Sequence, residues 1–390
     1  MRPFVITVTV LVALTLAITA AGERERRAHD RYVRAAAAAV APGQAVLARR
    51  YLSERRLQNA RLAVIARPRV VAFGSSRVQP LSTTVAGLRP GELYNAGMAG
   101  ATVEDFIGAW STLADSDKIP DVALFSIDAW VFNRALAQED WLEQAPAVEY
   151  FLASAGAGRG MLRRHLDEAV YEWHQARQFL SWPVLRASMT ALARDTEGEP
   201  LPDDDVTRAL RSAVVAEDHV GNRRAFRADG SVMNDLPTLT ADQLAGVAVD
   251  YVVALRARLA DFELDAERGR RLGLLWQAMR ERGVRVVAYL PPYHPITWAR
   301  MRGDRRYARP LARTARFLGE VAAESGARFL DLSDPSTVPC AAGEFFDGDH
   351  PTEACLARIV TRVGLAPPTS PPAPPAGSSP RAGPRSRNPR

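Results

Sequence analysis

Five short apolar runs separated by helix-like segments constrain what this chain can fold into. Val70 to Gly74 is rich in β-formers and Leu93 to Asn95 is a weaker run; Val122 to Ile127, Val284 to Leu290 and Ala327 to Leu332 follow. Helical patterns lie between several of them, at Thr102 to Leu113, Asp265 to Arg282 and Pro310 to Ser325. Strands that alternate with helices pair in parallel, and a parallel sheet is covered on both faces. The expected fold class is α/β, with three layers built on a parallel sheet. The 390 residues, 47% of them hydrophobic, suffice for a full core.

Between the third and fourth runs lies an insertion, about Phe132 to Leu264, where helix-like stretches such as Leu162 to Leu180 alternate with polar loops. It reads as a helical cap beside the sheet's edge. Two loops stand out: Asp195 to Asp205, with its triplet Asp203-Asp204-Asp205, and Asp229-Gly230-Ser231. An acidic run without further ligands in view is a solvated loop or a helix cap. Gly156 to Gly160 follows helix-like sequence rather than a strand, so it reads as a turn and not as a dinucleotide loop. The histidines (29, 165, 174, 219, 294 and 350) have no metal-ligand spacing, and no metal is expected.

The ends of the chain differ from the body. Phe4 to Ala21 is uncharged and apolar, long enough to cross a bilayer, so residues 1–22 read as a membrane anchor. A cleavable signal ending near Thr19-Ala20-Ala21 is the alternative. Residues 23–67 read as a stalk, two short helices interrupted at Ala41-Pro42-Gly43, and residues 68–365 as the α/β body. The Pro- and Arg-rich residues 366–390 carry no aromatic side chain and cannot bury enough to fold.

A net charge of +6 and a pI near 9.7 invite a nucleic-acid reading, which the distribution removes. Four arginines and no acid lie between Gly364 and Arg390, and six arginines against three acids lie in the first 34 residues, leaving the body close to neutral. No nucleic-acid partner is expected. Lys118 is the one lysine, a skew that accompanies abundant Ala and Arg and reflects coding bias. The arginines after Phe4 to Ala21 would, by the positive-inside rule alone, place the body in the cytoplasm.

Two motifs carry chemistry. PheGlySerSerArgVal, 73 to 78, directly follows the first run and puts serine at a strand's C-terminal end, where free helix N–H groups stabilise developing negative charge. PheAspGlyAspHisProThrGluAla, 346 to 354, sets Asp347 three residues before His350, with Pro351 suited to open a last helix, Thr352 to Val363. In such a step the carboxylate accepts from the imidazole Nδ1–H while Nε2 points toward a nucleophile. Cys340 and Cys355 bracket the step. If bonded they pin it and require an oxidising compartment, hence an outward-facing body; otherwise they are two unpaired thiols.

These motifs resemble the SGNH/GDSL hydrolase superfamily, which implies a flavodoxin-like sheet with the nucleophile after the first strand. On that resemblance Gly74-Ser75-Ser76 matches the Gly-Asp-Ser block, making Ser76 the nucleophile; AsnAlaGlyMetAlaGlyAlaThr, 95 to 102, matches the block whose glycine, here Gly100, donates to the oxyanion; and Asp347 and His350 complete a triad. The oxyanion hole would be the N–H groups of Ser76 and Gly100. Asp128 stands where the family's third block has an oxyanion-donating Asn, which leaves those two donors unless Asn133 or Trp130 supplies a third. His294 would contact substrate or be a loop histidine held by prolines, and Arg77 would bind an anionic substrate group or pair with a glutamate. The branch most similar contains the D-alanyl-lipoteichoic acid assembly proteins and related membrane-tethered acyl-transfer proteins. It implies a single-pass, extracytoplasmic serine esterase or O-acyltransferase that acts without cofactor on acyl esters of a cell-envelope polymer, with a membrane protein as acyl donor. A non-catalytic, anchored polymer-binding or scaffold protein is the alternative.

Overall fold

All five apolar runs become strands of one parallel sheet. In the computed structural model, which describes residues 31–48, 52–136, 138, 140–155, 213–233, 239–259 and 261–365 together with residues 17 and 210, the elements follow the alternation closely. Residues 31–39 are helical (α1); then come β1 (Gln44–Leu47), α2 (Glu54–Val64), β2 (Val70–Gly74), β3 (Leu93–Asn95), α3 (Val103–Asp115), β4 (Val122–Ser126) and α4 (Ala145–Ala155). After these come β5 (Val214–Ala216), β6 (Ala225–Arg227), β7 (Val232–Met233), α5 (Ala241–Leu259), α6 (Ala266–Glu281) and β8 (Arg285–Leu290). The chain closes with α7 (Pro295–Arg302), α8 (Arg305–Ser325), β9 (Arg328–Asp331) and α9 (Glu353–Val363).

The sheet runs β3-β2-β4-β8-β9, every neighbouring pair parallel. Counted within the sheet this is the order 2-1-3-4-5, whose switch point lies between its first and third strands, β2 and β4. Side chains alternate between its faces. Val71, Phe73, Ala123, Phe125, Val286 and Ala288 pack with α3, α6 and α8, while Val70, Ala72, Val122, Leu124, Val287 and Tyr289 pack with α9 and the loop after β2. Phe73 and Phe125, in register across β2 and β4, stack at 4.7 Å between ring centroids, so aromatic packing fixes the strands that meet at the switch point.

Several expectations change. The segment read as a stalk holds two helices, but Gln44–Leu47 between them is a strand in a small antiparallel sheet, β5-β1-β6-β7, whose other strands come from the insertion. That insertion is therefore not purely helical. Helix α2 buries Leu57, Gln58 and Leu62 against the body rather than extending from it. Helix α8 starts at Arg305, not Pro310, because Asp304 caps it by accepting from the Arg306 N–H; Pro310 sits inside the helix. Pro351 precedes the cap Thr352 of α9. The loop Asp229-Gly230-Ser231 docks on β3: Asn95 N–H donates to the Asp229 carbonyl, and the Asp229 carboxylate accepts from the backbone and hydroxyl of both Thr83 and Ser231.

No helix among the described residues is long and apolar enough to cross a membrane. The stretch Phe4 to Ala21 lies outside them but for one residue, as do Gly156 to Gly160, Leu162 to Leu180, Asp195 to Asp205 and residues 366–390.

Candidate active site

The chain from Ser75 to Val78 turns tightly at the C-terminal end of β2, with Val78 N–H donating to Ser75 O at 3.2 Å. Ser76 is the one residue between Val70 and Thr83 that is not buried, so its hydroxyl reaches the crevice above the sheet. Its N–H and that of Gly100 find no acceptor among the described residues, so both are left without an internal partner there.

The loop carrying Gly100 abuts this turn. Met98 N–H donates to Gly74 O at 3.0 Å, and a Cβ on Gly97 would lie 2.6 Å from Val78 Cγ1 and 2.8 Å from Asn95 Oδ1, so only glycine fits there. Buried Asn95 braces the two segments: its amide donates to the carbonyls of Val78, Gln79 and Leu81, and its Oδ1 accepts from Gly97 N–H at 2.9 Å. Helix α2 adds a clamp. Arg55 donates to the carbonyls of Ala99 and Gly100 while paired with Asp105, Glu54 accepts from Ala99 N–H at 2.8 Å, and Gln58 donates to Gly97 O. Asn95, Arg55 and Glu54 are positioning residues that strand and helix patterns do not reveal, because their partners are distant backbone groups.

The third segment is a narrow loop before α9, closed by Phe346 N–H donating to His350 O at 2.8 Å. Asp347 Oδ1 accepts from the N–H groups of Asp349 and His350, both at 2.9 Å, and its carboxylate receives the His350 ring Nδ1–H at 2.8 Å to Oδ2. The opposite ring nitrogen, Nε2, lies 2.8 Å from Ser76 Oγ. Ser76, His350 and Asp347 thus form a continuous chain of contacts. Cys340 and Cys355, at either end of this segment, form a disulfide, with S–S 2.09 Å.

A fourth group was not anticipated. Asp349 is buried and its Oδ1 lies 2.9 Å from His350 Nδ1. Burial opposes a charged imidazole, but Asp349 and then Asp347 outweigh it, and the His350 pKa is pushed up to about 10. Burial likewise opposes the Asp349 carboxylate, yet His350 and Arg77 hold it well below the usual range. The Tyr251 ring from α5 meets His350 edge-on at 6.1 Å and lies directly over Gly348, where a Cβ would come within 2.4 Å of Tyr251 Cβ. The sequence signal for Asp349 was its place in Asp-x-Asp-His; Tyr251 had none.

The residues read as substrate contacts take other places. Arg77 is 2% exposed, and its guanidinium donates inward: Nε–H to Asp349 O at 2.8 Å, Nη1 to Asp128 Oδ1 at 2.9 Å and Nη2 to the carbonyls of Pro291 and Pro292, over the Tyr293 ring at 4.5 Å. Asp128, also buried, accepts in addition from the Ser75 hydroxyl. Its charge is thereby paired with Arg77, not directed at an oxyanion. His294 is buried, accepts from Ile296 N–H through Nδ1 and caps α7. Burial lowers its pKa, which disfavours the charged ring. Asn133 donates its amide to Arg258 O, and Trp130 Nε1 is buried without an acceptor among the described residues.

Asp347, Asp349 and His350 also bring their ligand atoms within 4.8 Å of one another, but Nδ1, which would bind a cation, is engaged by the carboxylates. Compared with known proteins, the chain matches no family model and no curated protein.

Proposed function

We propose that this protein is a serine ester hydrolase or O-acyltransferase of the SGNH type. The observation that carries the reading is the contact of Ser76 Oγ with His350 Nε2, with Asp347 on the far side of the ring. Ser76 Oγ attacks the ester carbonyl and gives its proton to Nε2. The tetrahedral intermediate places its oxyanion toward the N–H groups of Ser76 and Gly100. It then expels the alkoxide, which takes the proton from Nε2 and leaves as an alcohol. Water, or an acceptor hydroxyl, attacks the acyl-serine, again losing its proton to His350, and restores the free serine. No cofactor takes part.

Asp128 does not count against this reading. A carboxylate locked to a buried guanidinium is neutralised as a pair, so the departure from the family pattern leaves two backbone donors rather than a repelling charge. An anchored, extracytoplasmic placement and an acyl ester of an envelope polymer as substrate belong to the same proposal, supported by the apolar stretch Phe4 to Ala21 and the disulfide. Hydrolysis of p-nitrophenyl acetate by the purified chain tests the reaction. Turnover abolished by Ser76→Ala supports it; equal turnover by both proteins overturns it.

A further inference from the structure

A cavity of about 450 Å³ opens between the C-terminal end of α5 and the N-terminal half of α8, and none of the residues around Ser76 lines it. Its walls carry five guanidinium groups, those of Arg256, Arg305, Arg306, Arg309 and Arg313, with Asp261 as the one acid. Asp304 pairs with Arg306. The other four arginines have no carboxylate within ion-pair distance among the described residues.

This arrangement opposes helix stability. A helix N-terminus favours acids and disfavours cations, yet the first turn of α8 has no acid, and five arginines precede its first glutamate, Glu320. Arg305, Arg309 and Arg313 follow one another at four-residue spacing, where like charges repel. Coding bias accounts for arginine in place of lysine but not for unpaired convergence. Elsewhere many arginines meet acids, as Arg270 and Arg271 do at Glu267, Arg268 at Glu104 and Arg358 at Glu344, or donate to carbonyls, as Arg280 does to Ser325 O and Arg328 to Val363 O. What sets this cavity apart is that four guanidinium groups without such partners among the described residues line one volume.

We propose that this cavity is a binding site for a ligand bearing two or more phosphate-class negative charges. Guanidinium forks match phosphate oxygens bidentately, and four unpaired forks around one volume exceed what a single monoanion needs. The volume falls within the range of small-molecule pockets. Leu259 and Phe262 add an apolar wall for the carbon skeleton that carries the phosphates. A bound polyanion would relieve the repulsion along α8. The site is distinct from that of Ser76 and stands whether or not Ser76 is a nucleophile.

The test is calorimetric titration of the full chain at low salt with inorganic pyrophosphate, alongside orthophosphate and vesicles containing cardiolipin, whose headgroup carries two phosphates. Pyrophosphate is expected to bind about tenfold or more tightly than orthophosphate, and Arg309→Ala/Arg313→Ala, at two exposed positions, to weaken it by about tenfold or more. The variant's unliganded Tm, unchanged or raised as repulsion is removed, verifies folding. Vesicle binding by wild type that pyrophosphate weakens and Arg309→Ala/Arg313→Ala reduces identifies a lipid headgroup as the phosphate source. Vesicle binding equal in both proteins and insensitive to pyrophosphate, as the stretch Phe4 to Ala21 alone would give, identifies a soluble phosphate ligand. Absence of pyrophosphate binding, or equal binding by wild type and variant, overturns the proposal.

Discussion

Ser76 Oγ and His350 Nε2 lie 2.8 Å apart although 274 positions separate them in the chain, and the opposite side of the ring faces two carboxylates rather than one. Asp347 makes the hydrogen bond, while buried Asp349 adds charge and ties the loop to Arg77 through its carbonyl. The pairing of a hydroxyl with so strongly favoured an imidazolium sets the pH behaviour expected of the site.

Because the His350 pKa is pushed up to about 10, the neutral base is the minor form at neutral pH. Ester turnover, kcat/KM, is expected to rise with pH, about tenfold per unit below the pKa, on a limb above the ordinary 6.5 of histidine. Asp349→Asn removes a carboxylate that favours the charged ring and moves the limb to lower pH. The stability sign is opposite to the activity trend: the charged ring stabilises the fold fully below its unfolded pKa, and this contribution is lost as pH rises toward about 10. A limb at or below 6.5, unmoved by the substitution, contradicts the two-carboxylate assignment.

Asp128→Asn separates two roles for that residue. If the carboxylate faced an oxyanion, amide replacement would accelerate turnover. Paired as it is with the buried Arg77, its loss removes the one carboxylate that the guanidinium contacts directly and leaves only the nearby Asp349 charge, and breaking such a pair typically costs about 3–5 kcal/mol. Urea unfolding is expected to show a loss of that order, with no gain in kcat.

Arg55 acts on the reaction only through the Ala99–Gly100 backbone it holds. Arg55→Ala is expected to lower kcat by about 10- to 100-fold through misplacement of the Gly100 N–H, with KM little changed. Arg55→Lys, which keeps the charge but not the fork that spans Asp105 and the loop, recovers part of the loss. A KM effect alone would assign Arg55 to substrate binding instead.

The disulfide closes the segment that carries Asp347 and His350. Cys340→Ser with Cys355→Ser is expected to lower stability by about 3 kcal/mol on the chain-entropy model. Thiol titration of the unfolded, unreduced wild type should find no free thiol.

The five strands were legible because each is an apolar run bounded by polar sequence, and the parallel order follows from their alternation with helices. The small antiparallel sheet was not, since its strands have two to four residues each and β1 pairs with β5 about 170 positions away, too little sequence for a period to register. Ser76, Asp347 and His350 were legible as motifs at strand ends. The inward turn of Arg77 was not, because a charged residue beside a proposed nucleophile reads as a substrate contact until Asp128, Tyr293 and the carbonyls of Pro291 and Pro292 are seen around it. Likewise the segment read as a stalk carries Glu54, Arg55 and Gln58, whose targets are backbone groups that no local pattern announces.

The most direct test is labelling of the folded chain by a fluorophosphonate, which reacts only with an activated serine, followed by mass spectrometry of the modified peptide. Covalent modification at Ser76, absent in Ser76→Ala and strongly slowed in His350→Ala, is the expected result. Correctly folded wild type that remains unlabelled across the alkaline range, or labelling at a different serine, would contradict the assignment of Ser76 as nucleophile.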